Sequence, residues 1–114
     1  MNFVKSPNSH LKEFLPELIE LRRHLHAHPE LSGNEYQTAA LIAGELRKYG
    51  WRVKEGVGRT GVVAELGSSN GPLVGLRVDM DALPVEERTG LEYSSKQQGL
   101  MHACGRDLHA CIGL

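Results

Sequence analysis

Leu11, Phe14, Leu15, Leu18, Leu21 and Leu25 recur at spacings of three and four, so the first part of the chain reads as an amphipathic helix. Its apolar stripe is interrupted at Arg22. Residues 1–10 are polar and read as a leader. Pro16 is expected in the first turn of this helix, where a missing N–H is no loss. His28 is expected as its last residue, because Pro29 pushes the preceding residue out of the helical region. A second helix is expected from Ser32. Ser32 and Glu35 have the spacing of a capping box, Leu31 and Tyr36 take the staple positions, and Tyr36, Ala39, Ala40, Ala43 and Leu46 make an inner face that ends at Gly50.

From Trp51 the pattern changes to strands, expected at 51–55, 61–66 and 73–79, each containing β-branched or aromatic residues. Ser68-Ser69-Asn70-Gly71 has the composition of a hairpin turn. A polar excursion to residue 99 follows, and a last helix is expected near Asp107. The fold class is α/β: two helices, then strands of a mixed sheet. Residues 110–114 are mostly apolar and too few to finish a helix, so the sequence reads as cut short.

Composition narrows the function classes. The 114 residues are 40% hydrophobic and 24% charged with a formal net charge of −1, close to an ordinary globular domain. Lys and Arg are interspersed with acids, so no basic field is available for phosphates and nucleic acid is not an expected partner. No run approaches the roughly 20 apolar residues of a membrane span, and the N-terminus lacks an apolar signal core, so no membrane partner and a cytoplasmic location are expected. Cys104 and Cys111 lie seven apart; on one helix that spacing is roughly 10 Å, too far for a disulfide.

Three groups of residues carry candidate chemistry. Met101-His102-Ala103-Cys104-Gly105-Arg106-Asp107-Leu108-His109 places a thiol, two imidazoles and a carboxylate in a short Gly-containing loop leading into a helix. On spacing alone, a metal site and a buried cysteine with a core histidine are equally good readings. Asp79 and Asp81 close the third expected strand, and alternation sets both carboxylates on one side of an extended chain, able to converge on one cation. A pair of solvated acids is the plainer alternative. His24, His26 and His28 do not share one helical face, and capping of a helix C-terminus explains them better than a metal tract. Arg22 and Arg23 read as a solvated or ion-paired face.

Leu21-Arg22-Arg23-His24-Leu25-His26-Ala27-His28-Pro29-Glu30-Leu31, Glu35, Thr38, the stretch from Leu76 to Pro84 and Met101-His102-Ala103-Cys104-Gly105 together resemble the M20 metallopeptidase family. The resemblance is strongest to its amidohydrolase branch of hippurate hydrolases, N-acyl-amino-acid deacylases and indole-acetic acid conjugate hydrolases. It divides the chain into residues 1–15, a leader and the start of the first helix, and residues 16–114, the N-terminal portion of a zinc-peptidase-like catalytic domain. The chemistry implied is hydrolysis of an amide, such as a small N-acyl amino acid, with a divalent metal (Zn, Mn, Co or Ni) and a Glu as general base. A homo-oligomer is compatible with the family pattern. The catalytic Glu and the further ligands that follow in the family have no counterpart here, so the chain is expected to be inactive; a non-catalytic scaffold is the alternative.

By the resemblance, Cys104 falls on the metal-binding cysteine of the branch. Asp79 lies where other branches place a metal-binding His, and Asp81 where they place the Asp that orients it. The family continues Cys-Gly-His-Asp, but this chain has Arg106 at the His position. A guanidinium has no lone pair to donate and repels a cation, so Arg106 cannot take over as a ligand. His109, three residues farther on, is a poor substitute.

Overall fold

The computed structural model describes residues 7–114. The first six residues of the expected leader lie outside them; the remaining four are already helical. Helix α1 runs Pro7–Ala27, α2 Tyr36–Lys48 and α3 Arg106–Gly113, with strands β1 Arg52–Val57 and β2 Gly61–Glu65 between α2 and α3.

Pro16 sits well inside α1 rather than in its first turn. Because the helix begins at Pro7, the proline falls in its middle, where it removes one backbone donor. The apolar stripe of α1 has two fates. Leu25 is buried with Ala110 and Cys111 of α3, flanked by Leu21, Leu41 and Ile42, whereas Leu11, Phe14, Leu15 and Ile19 remain exposed.

Helix α2 starts at Tyr36, not at Ser32, and residue Glu35 at its N-cap makes no side-chain cap bond. The cap comes from farther upstream. Glu30 accepts from the N–H of Gln37 (3.2 Å), the N–H of Thr38 (2.6 Å) and the Thr38 hydroxyl (2.6 Å), which satisfies donors at the positive end of the helix dipole. Glu35 instead accepts from the Gly33 N–H (3.0 Å) and the buried Thr60 hydroxyl (2.6 Å), tying the start of α2 to the hairpin. The inner face of α2 is Thr38, Ala39 and Ala43; Tyr36 and Ala40 are exposed, contrary to the periodicity reading.

Strands β1 and β2 form an antiparallel hairpin in register Arg52↔Glu65, Val53↔Ala64 and Lys54↔Val63, with an irregularity before Val57↔Gly61. They are the only sheet among the described residues. The third expected strand does not form. Residues 73–79 join no ladder, and Leu73, Val74 and Leu76 are 94%, 89% and 77% exposed. A strand needs a neighbour for its backbone groups, and this segment pairs with neither outer edge of the β1–β2 hairpin.

The path that follows determines the site. Ala82 bridges to Leu31 in parallel, with its N–H donating to the Glu30 carbonyl (2.8 Å), and Leu83 pairs with Met101 through two backbone bonds of 2.9 and 3.0 Å. The excursion between Leu83 and Met101 is thereby closed at its base, and Asp81 is brought beside the 102–106 loop.

Candidate functional site

Residues 102–107 emerge from the Leu83–Met101 bridge and turn at Gly105, whose φ of +76° suits the one residue without a Cβ, directly into α3. Consecutive side chains at this turn serve two different clusters.

The first surrounds Asp107, in the first turn of α3 and almost fully buried. Its Oδ2 accepts from Arg22 Nε at 2.9 Å and lies 2.9 Å from His26 Nδ1. The other ring nitrogen, His26 Nε2, lies 3.0 Å from Glu87 Oε1, which also accepts from the Ser95 N–H at 2.8 Å. A ring with both nitrogens donating satisfies both carboxylates; a singly protonated ring satisfies one. Burial works to raise the Glu87 pKa, but hydrogen bonds from the Thr89 hydroxyl, the Ser95 N–H and His26 outweigh it and hold the carboxyl below its usual range. Tyr93 completes this cluster, with its ring edge-on to His26 and within 5.3 and 4.9 Å of the Arg22 and Arg23 guanidinium carbons.

The second cluster surrounds Arg106. Its Nη1 donates to Asp81 Oδ1, and its Nε lies 3.9 Å from Asp79 Oδ2. Asp79 is also held by Arg77 at 3.0 Å. The hydrogen bond and charge of Asp81 raise the pKa of the Arg106 guanidinium still further. Asp79 and Asp81 thus do face one cation, and it belongs to the chain itself.

Cys104 is exposed beside this pair and makes no disulfide; Cys111 is buried and free. His109 is exposed on α3. His102 is buried with neither ring nitrogen partnered, and Asp107 Oδ1 is likewise without a partner among the described residues. Burial pushes the His102 pKa down, against the opposing pull of the Asp107 carboxylate. Among the described residues no group of three or more His, Cys, Asp or Glu side chains is arranged to hold a metal ion. The fit to a metal is therefore poor: the thiol of Cys104 is available, but the adjacent carboxylates are engaged by a guanidinium.

The structure brings Arg106 together with Asp79 and Asp81, while it separates the His tract into distinct roles. His28 Nδ1 lies 2.8 Å from the His24 carbonyl, a capping contact, but His26 is buried among carboxylates, which helix-end capping does not describe. The sequence does carry a signal for the buried cluster. Arg22 interrupts an apolar stripe and lies four residues before His26, the spacing of a shared helical face. A charge in that place requires a buried partner.

Residues 75–114 match the family described as Peptidase family M20/M25/M40. A probable hydrolase of Synechocystis is 57% identical over 102 residues, covering 88% of this chain and 26% of that protein. Hippurate hydrolase of Campylobacter jejuni is 45% identical, covering 83% of this chain and 27% of the relative. Among solved structures, the Bacillus subtilis YXEP protein, described as a dinuclear metal binding peptidase from the M20 family, superposes with a TM-score of 0.81 at 43% identity, covering 88% of this chain and 29% of that one. The chain thus spans little more than a quarter of the length of these relatives. No helix among the described residues is long and apolar enough to cross a membrane.

Proposed function

Because the chain belongs to the M20 peptidase family, we propose that residues 16–114 are a portion of an amidohydrolase catalytic domain, whose reaction is metal-dependent hydrolysis of an N-acyl amino acid or a related small amide. The similarity to hippurate hydrolase, together with the exposed thiol of Cys104 in its Gly-containing loop, supports this reading. Cys104 is the residue of this segment offered to a metal, and Asp81 is the residue that fixes what stands next to it.

The donors present do not fit a metal pair. Arg106 is the reason. It presents a permanent positive charge where the family resemblance calls for an imidazole, and it engages the carboxylates that flank the position. The 114 residues by themselves therefore do not turn over substrate. The same pair favours the second reading, a non-catalytic scaffold, for any longer protein that retains Arg106.

Calorimetric titration with Zn²⁺ and hydrolysis assays on benzoyl-glycine with added Zn²⁺, Mn²⁺, Co²⁺ or Ni²⁺ test both parts. The unaltered chain gives no hydrolysis above a metal-only blank. Arg106→His tightens Zn²⁺ binding by roughly tenfold, still short of a closed four-ligand site, and Cys104→Ala removes the gain. Turnover by the unaltered chain that disappears in Cys104→Ala overturns the inactivity, and equal metal affinity in the unaltered chain and the Arg106→His variant overturns the account of Arg106.

A further inference from the structure

His26 joins three segments through one ring. From α1 its Nδ1 lies 2.9 Å from Asp107 Oδ2 at the start of α3, and its Nε2 lies 3.0 Å from Glu87 Oε1 in the excursion between Leu83 and Met101. The side chains of His26, Glu87 and Asp107 are 4%, 3% and 0% exposed, so bulk water does not stand in for a missing ring proton at either contact. The two carboxylates do not depend on the ring equally. Asp107 Oδ2 also receives Arg22 Nε, but its buried Oδ1 has no partner among the described residues. Glu87 takes the Ser95 N–H on the oxygen that faces His26 and the Thr89 hydroxyl on the other, and both donors belong to its own segment. Glu87 can therefore leave α1 together with its local partners, whereas Asp107 is fixed in the interior.

The geometry points to a proton-operated clasp: His26 with both ring nitrogens protonated fastens the excursion to α1 and α3, and loss of one proton as pH rises releases the Glu87 side. The remaining proton stays on Nδ1, because a fully buried Asp107 facing a ring lone pair has no solvent to turn to. Nε2 then presents a lone pair to Glu87 Oε1, and two acceptors 3.0 Å apart repel. Backbone ties bound the opening. Leu83 pairs with Met101, and the Lys96 N–H donates to the Ala27 carbonyl at 2.8 Å, so the arc that moves is 84–95. Tyr93 is its other side-chain tie, with a hydroxyl that accepts from Arg22 at 3.3 Å and a ring edge-on to His26. The charges around the ring act in opposite senses. Asp107 and Glu87 favour the second proton, while Arg22 on α1, Arg23 beyond Tyr93 and any charge on His102, whose ring centroid is 6.5 Å away in the loop before α3, oppose it. Glu87, whose hydrogen bonds outweigh its burial and hold the carboxyl below its usual range, stays ionised into mild acid. The clasp is thus closed on the acid side of the ring's transition and open on the alkaline side.

Nitrogen-15 NMR of the labelled chain, followed from mildly acidic to mildly alkaline pH, reads both ends of this event without metal or substrate. Both His26 ring nitrogens are expected to carry protons at the acid end, and Nε2 to lose its proton as pH rises. The Ser95 amide, which shares Glu87 Oε1 with the ring, and the Tyr93 amide should shift with the same midpoint, while Ala43 in α2 and Val63 in β2 stay in place. Glu87→Gln keeps an acceptor but removes the charge, so the His26 midpoint should fall by about one pH unit. Glu86→Gln, whose acid accepts from the Gly99 N–H and not from His26, should leave the midpoint unmoved. If Glu87→Gln does not fold, coincidence of the His26 and Ser95 transitions in the unaltered chain decides. A ring that keeps one protonation state over the whole range overturns the proposal, as does a His26 transition that leaves the Ser95 amide unmoved or takes the proton from Nδ1. So does a transition shared by α2 and the hairpin, which would be global melting, or an equal midpoint shift in the Glu86 and Glu87 variants.

Discussion

Arg106 and Asp107 are adjacent, oppositely charged and both ion-paired, yet they belong to different kinds of site. Asp107 is inaccessible, shared by Arg22 and His26 from α1, and linked through His26 to Glu87, so segments distant in sequence meet on it. Arg106 is partly open to solvent and, among the described residues, its ion pairs are with Asp79 and Asp81 alone. A charge buried with multiple partners holds elements together, because removing one partner strands the others without water. A charge paired at the surface can be exchanged at little cost to the fold, which leaves it free to change what the loop does.

Asp107→Ala should therefore have the largest effect on stability. It leaves Arg22 and His26 facing a void, and a loss of about 3–5 kcal/mol is expected for breaking a buried charge cluster of this kind. Urea denaturation followed by circular dichroism measures it, and a loss no greater than that of an exposed substitution would erase the contrast between the two clusters.

Acid provides a second, smaller perturbation. Glu87 has its folded pKa depressed, so its contribution is present above the unfolded carboxyl value of about 4.3 and is lost as pH falls from there through the folded value. The denaturation midpoint should drop across that window, and Glu87→Gln should flatten the drop. An unchanged slope would show that Glu87 is not coupled to folding through His26.

The smallest effect belongs to Arg106→Ala. Its thermal midpoint should stay close to that of the unaltered chain, and added salt should narrow any difference. A shift as large as that of Asp107→Ala would make the two clusters equivalent and Arg106 a structural residue.

Much of this arrangement is legible in the sequence, and the failures have physical causes. The second and third helices and the two strands of the hairpin follow from local periodicity, whereas the hairpin turn expected at Ser68-Ser69-Asn70-Gly71 joins no strand pair because residues 73–79 form no strand, and the M20 resemblance agrees with the family match and with the superposed structure. The cap of α2 escapes a local reading because Ser32 and Glu35 satisfy a local pattern, whereas Glu30 reaches the helix from farther back with a longer side chain. The preference of Pro16 for a first turn cannot reveal that the helix already begins at Pro7. Residues 73–79 have the composition of a strand, but a strand exists only where backbone donors and acceptors find a second edge. The partners of His26 are 61 and 81 residues away, a juxtaposition that no local pattern reports.

The two cysteines, which form no disulfide, give the chain one chemically addressable position. Cys111 is buried, and that burial, reinforced by Asp107, pushes its thiol pKa up to about 11, so at neutral pH it is protonated and shielded from alkylation. Cys104 is open to solvent. A maleimide fluorophore should therefore attach at a single native residue beside Arg106, and a metal ion engaging that thiol should slow the labelling.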